Sequence, residues 1–286
     1  MKIKKIGIIS LAGPCDEKDI IEAKNYFESK SFEVVLSNNI FDKNNYLSGS
    51  DDIKIKELYR FFEDDSIDLI LNARGGYGSI RLINDIDYEI IKKNPKPFCG
   101  FSDITALLLM FYKKSGLTTY HSPMAVSDFT EQSLRYREYN YENLFKALCE
   151  VKQTLYGNNV FNSASVNGII WGGNLSTVVS LCGLDFIPTE DFIFFTEDLN
   201  EPVYKIDKMF QQLFNIYDFK KSCKGIVLGD FLNIDNPEWL NNYFYELSKK
   251  YNIPIVSGFK ITHSQEKITI PIGSKCRLDD FILTIG

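Results

Sequence analysis

The chain has 286 residues, of which 44% are hydrophobic and 24% charged, which fits a globular protein long enough to bury a substantial core. Its formal net charge is −6; a nucleic-acid binder carries a basic surplus, so that class of partner is not expected. No apolar run approaches transmembrane length, so no membrane association is expected either.

Six cysteines (Cys15, Cys99, Cys149, Cys182, Cys223 and Cys276) are scattered without a C-x-x-C pair. They read as thiols in a reducing compartment, and neither a disulfide framework nor a zinc site is suggested. The lysines and short apolar stretch at the N-terminus mimic a signal peptide. The stretch runs straight into a charged helix start with no cleavage site, so it reads as a first strand and the expected location is the cytoplasm.

In chain order, residues 4–10 form a near-continuous apolar run, as in a strand covered on both faces. A turn at 11–14 and a helical pattern from Asp16 to about Lys30 follow. Strands are expected at 32–36, 67–71, 98–101 and 117–120, and helices at 51–63, from the glycine-rich segment after the third strand to about Lys93, and from about Ile104. Strands alternating with helices of about ten to fifteen residues indicate a doubly wound α/β half spanning 1–150, with functional groups at the C-terminal ends of its strands. Residues 131–150 read as a polar, tyrosine-rich helix and 151–165 as a linker. A second, mixed α/β domain is expected over 166–286: strands at 166–171, 192–196, 225–229 and 253–257, a turn at Gly172-Gly173-Asn174, helices near 203–214 and 237–251, and an antiparallel pair over 268–285.

Two strand ends carry chemistry. Gly100-Phe101-Ser102 passes at once from a buried strand into a helix, which lifts the Ser102 hydroxyl beside the first free helix N–H groups. A nucleophile and an oxyanion donor are needed together there, although serine also serves as an ordinary helix cap. Arg74-Gly75-Gly76-Tyr77-Gly78 lacks both nucleotide fingerprints. Its glycines allow a backbone N–H to approach a reacting carbonyl.

A serine nucleophile needs an imidazole base, and the chain has two histidines. His121 ends the fifth strand and His263 lies in a polar turn; the residues alone leave both open. Glu197, closing the apolar run Phe192–Phe195, suits the carboxylate that fixes an imidazole tautomer, or equally a helix-start acid or an ion pair. Two distant histidines give no metal-ligand spacing.

Taken together, Arg74-Gly75-Gly76-Tyr77-Gly78, Gly100-Phe101-Ser102-Asp103-Ile104-Thr105, Gly172-Gly173-Asn174-Leu175, Glu197-Asp198 with Tyr204-Lys205-Ile206-Asp207, and His263 followed by Thr269-Ile270-Pro271-Ile272-Gly273 resemble the serine LD-carboxypeptidase family. That family includes muramoyl-tetrapeptide carboxypeptidases and microcin C immunity peptidases. The blocks cover nearly the whole chain in the family's order. The resemblance implies an N-terminal Rossmann-like parallel-sheet domain carrying a nucleophile elbow and a C-terminal mixed α/β domain carrying the acid and base. By motif, Ser102 is the nucleophile, His263 the base and Glu197 the orienting carboxylate. The same resemblance implies that the backbone N–H groups of Asp103 and Gly76 form the oxyanion hole.

The sequence departs from the family pattern at Thr262 (commonly Gly), Ser122 (commonly Gly) and Lys208 (commonly Arg). Ile104 stands where the second Gly of G-x-S-x-G would be, which separates the chain from α/β-hydrolases. The implied reaction is hydrolysis of an L,D-peptide bond without metal or organic cofactor, on a murein tetrapeptide, by a homodimer. Alternatives are hydrolysis of aminoacyl or peptidyl nucleotides, and a non-catalytic peptide binder. Arg74 and Arg81 are candidates for a substrate carboxylate. Trp171 is a candidate for stacking on substrate, or a core residue.

Overall fold

The computed structural model describes residues 2–150 and 152–286, in two compact units. The first contains β1 (Lys5–Ile9), α1 (Glu17–Ser29), β2 (Glu33–Leu36), α2 (Asp51–Glu63), β3 (Leu69–Asn72), α3 (Tyr88–Lys93), β4 (Phe98–Gly100), α4 (Thr105–Ser115), β5 (Thr119–His121), α5 (Ala125–Asp128) and α6 (Arg137–Cys149). Strands β1 to β5 pair in parallel, in the order β2-β1-β3-β4-β5. Beyond β5 the sheet gains one more strand, residues Ile270–Ile272 from late in the chain. Parallel strands covered on both faces must be apolar throughout, and β3 and β4 are buried at every residue. Helix α4 is buried from Thr105 to Phe111, so the segment after Ser102 enters the core without an exposed turn.

The second unit contains β6 (Gln153–Tyr156), β7 (Asn159–Asn162), β8 (Val166–Asn174), α7 (Leu175–Ser180), β9 (Phe192–Leu199), α8 (Val203–Phe214), α9 (Tyr217–Ser222), β10 (Cys223–Leu232), α10 (Pro237–Tyr251) and β11 (Ile255–Ser257). The outer strand of the first sheet is β12, and the hairpin β13 (Lys275–Asp279) and β14 (Ile282–Ile285) closes the chain. The second sheet runs β6-β14-β13-β8-β9-β10-β11-β7. Its centre, β8 to β11, is parallel, and antiparallel strands flank it on both sides. The α/β class and mixed second sheet agree with the expectation.

Four local expectations change. The segment read as a linker holds β6 and β7, the two outer strands of the second sheet; residue 151, where that linker was to begin, lies outside the described residues. Gly172-Gly173-Asn174 is the end of β8 and not a turn. The helix expected to reach Lys93 is broken: a 3₁₀ turn at Ser79–Arg81 precedes α3, whose own cap is Asp87, accepting the Glu89 N–H at 3.0 Å. The apolar tail divides, with Ile270–Ile272 in the first sheet and only 275–285 in the second. Among the described residues, no helix is long and apolar enough to cross a membrane.

Candidate active site

Strand β4 ends at Gly100, and Ser102 follows with φ +60°. A non-glycine residue in this left-handed region costs about 1–3 kcal/mol and persists only where its surroundings hold it. The clamp is Asp103. Its carboxylate accepts the Ser79 N–H at 2.9 Å, and its carbonyl accepts the Ser79 hydroxyl at 2.5 Å. Burial pushes the Asp103 carboxyl above the ordinary range, against the pull of the Ser79 and Gly78 amides and the Lys54 charge.

The loop after β3 lies directly over the elbow. A Cβ built on Gly75 would sit 2.9 Å from Ser102 Cβ and 3.1 Å from its Oγ, so only glycine lets the backbone of Arg74–Gly76 approach the hydroxyl. Gly75 O accepts the Gly13 N–H at 3.2 Å, tying this loop to the end of β1.

In the second unit, Glu197 near the end of β9 is fully buried, and its Oε2 lies 2.5 Å from Nδ1 of His263. Burial pushes the Glu197 carboxyl up, while the hydrogen bond and charge of His263 pull it back. Asn174, paired with Glu197 in the β8–β9 register, donates from Nδ2 to Glu197 Oε1 at 3.3 Å and Asp198 Oδ1 at 3.0 Å. Its Oδ1 caps α7 by accepting the Thr177 N–H at 3.1 Å. Asp198 also accepts the Ser176 N–H at 2.8 Å. Each buried carboxylate therefore has donors, which a buried charge requires.

The turn carrying His263 is fixed from both sides. Thr262 Oγ1 accepts the Ser264 N–H at 2.8 Å, so the residue that departs from the family's glycine supplies a side-chain turn around the imidazole. Ile261 O accepts the Asp230 N–H at 2.9 Å, and a Cβ on Gly229 would fall 1.9 Å from that same oxygen.

Of the residues singled out from sequence, Ser102 and Asp103, with Gly76 in the adjoining loop, are gathered in the first unit; Glu197 and His263 are joined in the second. His121 is buried beside the elbow, opposite Gly100 in the sheet and edge-on to Phe101 at 5.9 Å. The imidazole paired with Glu197 belongs to His263. Arg81 is bound to Asp51 at 2.6 Å, whereas Arg74 is exposed, donates to Pro14 O at 3.3 Å and makes no salt bridge among the described residues.

Trp171 requires correction as a substrate-stacking residue. It is 0% exposed, packed among Phe186, Phe192, Phe194 and Phe219 with ring centroids 5.1–6.4 Å away, and offers no face to a ligand. Ser79 has no role visible in the sequence, and Asn174 none beyond its motif. An asparagine between an apolar strand and a helix start was the available signal for the latter. Among the described residues, no group of three or more His, Cys, Asp or Glu side chains is placed to hold a metal ion.

Residues 6–122 match the LD-carboxypeptidase N-terminal domain and residues 167–278 the LD-carboxypeptidase C-terminal domain. The chain is 31% identical to a probable murein peptide carboxypeptidase of Bacillus subtilis, over 96% of this chain and 88% of that protein. It is 27% identical to the microcin C7 self-immunity protein MccF of Escherichia coli, over 96% and 90% respectively. The crystal structure of muramoyltetrapeptide carboxypeptidase from Oxalobacter formigenes shares the fold, with a TM-score of 0.91 over 99% of both chains at 24% identity. Both domain matches, in order along one chain, and the Bacillus relative place the protein in the LD-carboxypeptidase family.

Proposed function

We propose that this chain is a serine carboxypeptidase that cuts an L,D-peptide bond and releases the terminal D-alanine of a murein tetrapeptide, with Ser102, Glu197 and His263 as its triad. The observation that carries the reading is the 2.5 Å pair between fully buried Glu197 and His263 Nδ1. A carboxylate held there keeps the proton on Nδ1, leaves Nε2 as the base and stabilises the imidazolium that forms during the reaction. The elbow supports the other half: Ser102 has the left-handed φ of +60°, and one point, the Cβ that Gly75 lacks, would lie 3.1 Å from its hydroxyl and 3.5 Å from the Asp103 nitrogen.

In this mechanism His263 Nε2 takes the Ser102 proton as Oγ attacks the carbonyl carbon of the scissile bond. The oxyanion is held by the N–H groups of Asp103 and Gly76. The C–N bond then breaks, the imidazolium returns the proton to the leaving D-alanine nitrogen, and the acyl group stays on Ser102. Water, deprotonated by the same imidazole, attacks the ester; the shortened peptide leaves and Ser102 recovers its proton. The chemistry requires Nε2 to come within hydrogen-bonding reach of Oγ. The names of the Bacillus subtilis relative and of a Pseudomonas aeruginosa relative, murein tetrapeptide carboxypeptidase, 24% identical, support the substrate class. The six free thiols fit action in the cytoplasm, and family resemblance favours a homodimer.

A second reading, hydrolysis of an aminoacyl or peptidyl nucleotide, is favoured by the relationship to MccF. Its recognition of a base would have to use a residue other than the buried Trp171. Incubation with murein tetrapeptide and, separately, with an aminoacyl sulfamoyl adenosine, analysed by mass spectrometry, distinguishes the two. D-alanine release by wild type and its loss in Ser102→Ala supports the proposal. Persistent release by Ser102→Ala, or cleavage of the nucleotide analogue alone, contradicts it.

A further inference from the structure

The first sheet changes direction between β1 and β3, because β2 lies on one side of β1 and β3 to β5 on the other. Ligands of open α/β sheets bind outside the strand ends at such a point. Here the ends of β1 and β3 bound a cleft lined by Gly13, Pro14, Tyr46, Arg74, Gly76 and Tyr77. It adjoins the elbow, since Gly75 lies against Ser102.

Tyr46 reaches this cleft from a loop, residues 37–50, between β2 and α2. The loop is doubled back on itself by paired hydrogen bonds of Asn44 and Leu47, 2.8 and 2.9 Å, with Asn45 at φ +54°. Its base is held by buried polar groups. Asn39 Nδ2 donates to Ser10 O at 2.9 Å and Ser48 O at 3.0 Å, and the Ser48 hydroxyl is 3.1 Å from both Ser10 O and Ala12 O.

The result of this anchoring is an exposed aromatic pair. Tyr46 and Tyr77 are 62% and 46% exposed, with ring centroids 5.8 Å apart. Arg81, four residues beyond Tyr77, is held by Asp51 at 2.6 Å. The exposed Arg74 guanidinium shares the same cleft. Two exposed aromatic faces and a guanidinium at a strand end suit a short organic group ending in a carboxylate: the cation binds the carboxylate in bidentate fashion, and the rings cover the apolar part.

We infer that Arg74 binds the C-terminal carboxylate of the peptide and that Tyr46, with Tyr77, forms the wall against the departing residue, making the 37–50 loop a determinant of specificity. This inference rests on the carboxypeptidase reading and adds to it the site that makes the reaction an exopeptidase one.

The test compares kcat and KM for murein tetrapeptide and for its C-terminal amide in wild type, Arg74→Gln, Tyr46→Ala and Tyr46→Phe. Wild type should prefer the free acid by about 10- to 100-fold, the range of a charge-assisted hydrogen-bonded pair. In Arg74→Gln that ratio should collapse toward one through loss on the acid alone. Tyr46→Ala should raise KM about 3- to 10-fold, the range of an aromatic contact, with kcat little changed; Tyr46→Phe should behave as wild type. An acid preference that survives Arg74→Gln, or an unchanged KM in Tyr46→Ala, overturns the assignment. Wild-type turnover of the tetrapeptide tests the carboxypeptidase reading separately. If turnover is absent, calorimetry on Ser102→Ala decides: binding of the acid over the amide that requires Arg74 and weakens in Tyr46→Ala upholds the cleft, and any other result overturns it.

Discussion

Replacing Glu197 by Gln removes one charge and leaves the side-chain volume almost unchanged. The carboxylate is fully buried and 2.5 Å from the imidazole, so water cannot take its place. In the proposed mechanism the imidazole carries a positive charge in each transition state and none in the resting enzyme. At an effective dielectric near 20, a unit charge about 4 Å away contributes about 4 kcal/mol, or about three decades of rate. The carboxamide also offers an N–H where Nδ1 needs an acceptor, which favours the wrong tautomer. kcat for D-alanine release should therefore fall about a thousandfold, with KM little changed because Glu197 does not touch substrate. Stability should move differently. Burial raises the Glu197 carboxyl, so a neutral amide escapes a desolvation cost, and the melting temperature should hold or rise. Steady-state kinetics and a thermal melt on the same preparation measure both. A kcat within about threefold of wild type, under ~0.7 kcal/mol, refutes the reasoning, as does lost activity that merely tracks lost folding.

Ser102→Gly should abolish turnover yet raise stability by about 0.5–1 kcal/mol, because glycine accepts φ > 0 without the steric cost but loses more chain entropy; a lower melting temperature argues against strain at the elbow. In Gly229→Ala the new methyl would fall 1.9 Å from Ile261 O, so the turn bearing His263 must shift; a loss above about 2 kcal/mol and a reduced kcat are expected from denaturant titration and kinetics. The hydrogen bond from Arg81 holds the Asp51 carboxyl below its ordinary range. A lowered folded-state pKa contributes stability above the unfolded value of about 3.9 and loses it as pH falls through the folded value. The drop in melting temperature from about pH 5 to about pH 3 should thus be smaller in Arg81→Gln than in wild type; an equal drop contradicts the pairing.

Much of the architecture was legible because apolar runs and helical periods coincided with their boundary residues. Helix α2 illustrates this: Ser50 accepts the Ile53 N–H at 3.4 Å, and the expected span 51–63 is the observed one. The failures share a cause in tertiary context. Strands β6 and β7 looked like a linker because they are outer strands of the sheet, where exposed polar residues and a nearby Gly-Asn-Asn dilute the strand pattern. The residues 268–272 read as part of one hairpin because no local feature reports that a chain changes sheets. Burial of Trp171 likewise depends on Phe186 and Phe219, remote in sequence.

The site shows the same division. Ser102, Glu197 and His263 stood out through motifs, and the Glu197–His263 contact emerges in the structure. Asn174 was visible as part of a motif, but its use of one amide for two tasks, donating to carboxylates and capping α7, depends on the β8–β9 register. Ser79 carried no signal: its importance comes entirely from a pair of hydrogen bonds with Asp103.

The central claim is that Ser102 is a nucleophile activated by His263. Peptide mapping by mass spectrometry after a serine-reactive phosphonate measures this most directly. The account predicts modification of Ser102 in wild type and a strongly slowed reaction in His263→Gln. An unmodified Ser102 alongside continuing peptide hydrolysis, or equal labelling in both proteins, would contradict it.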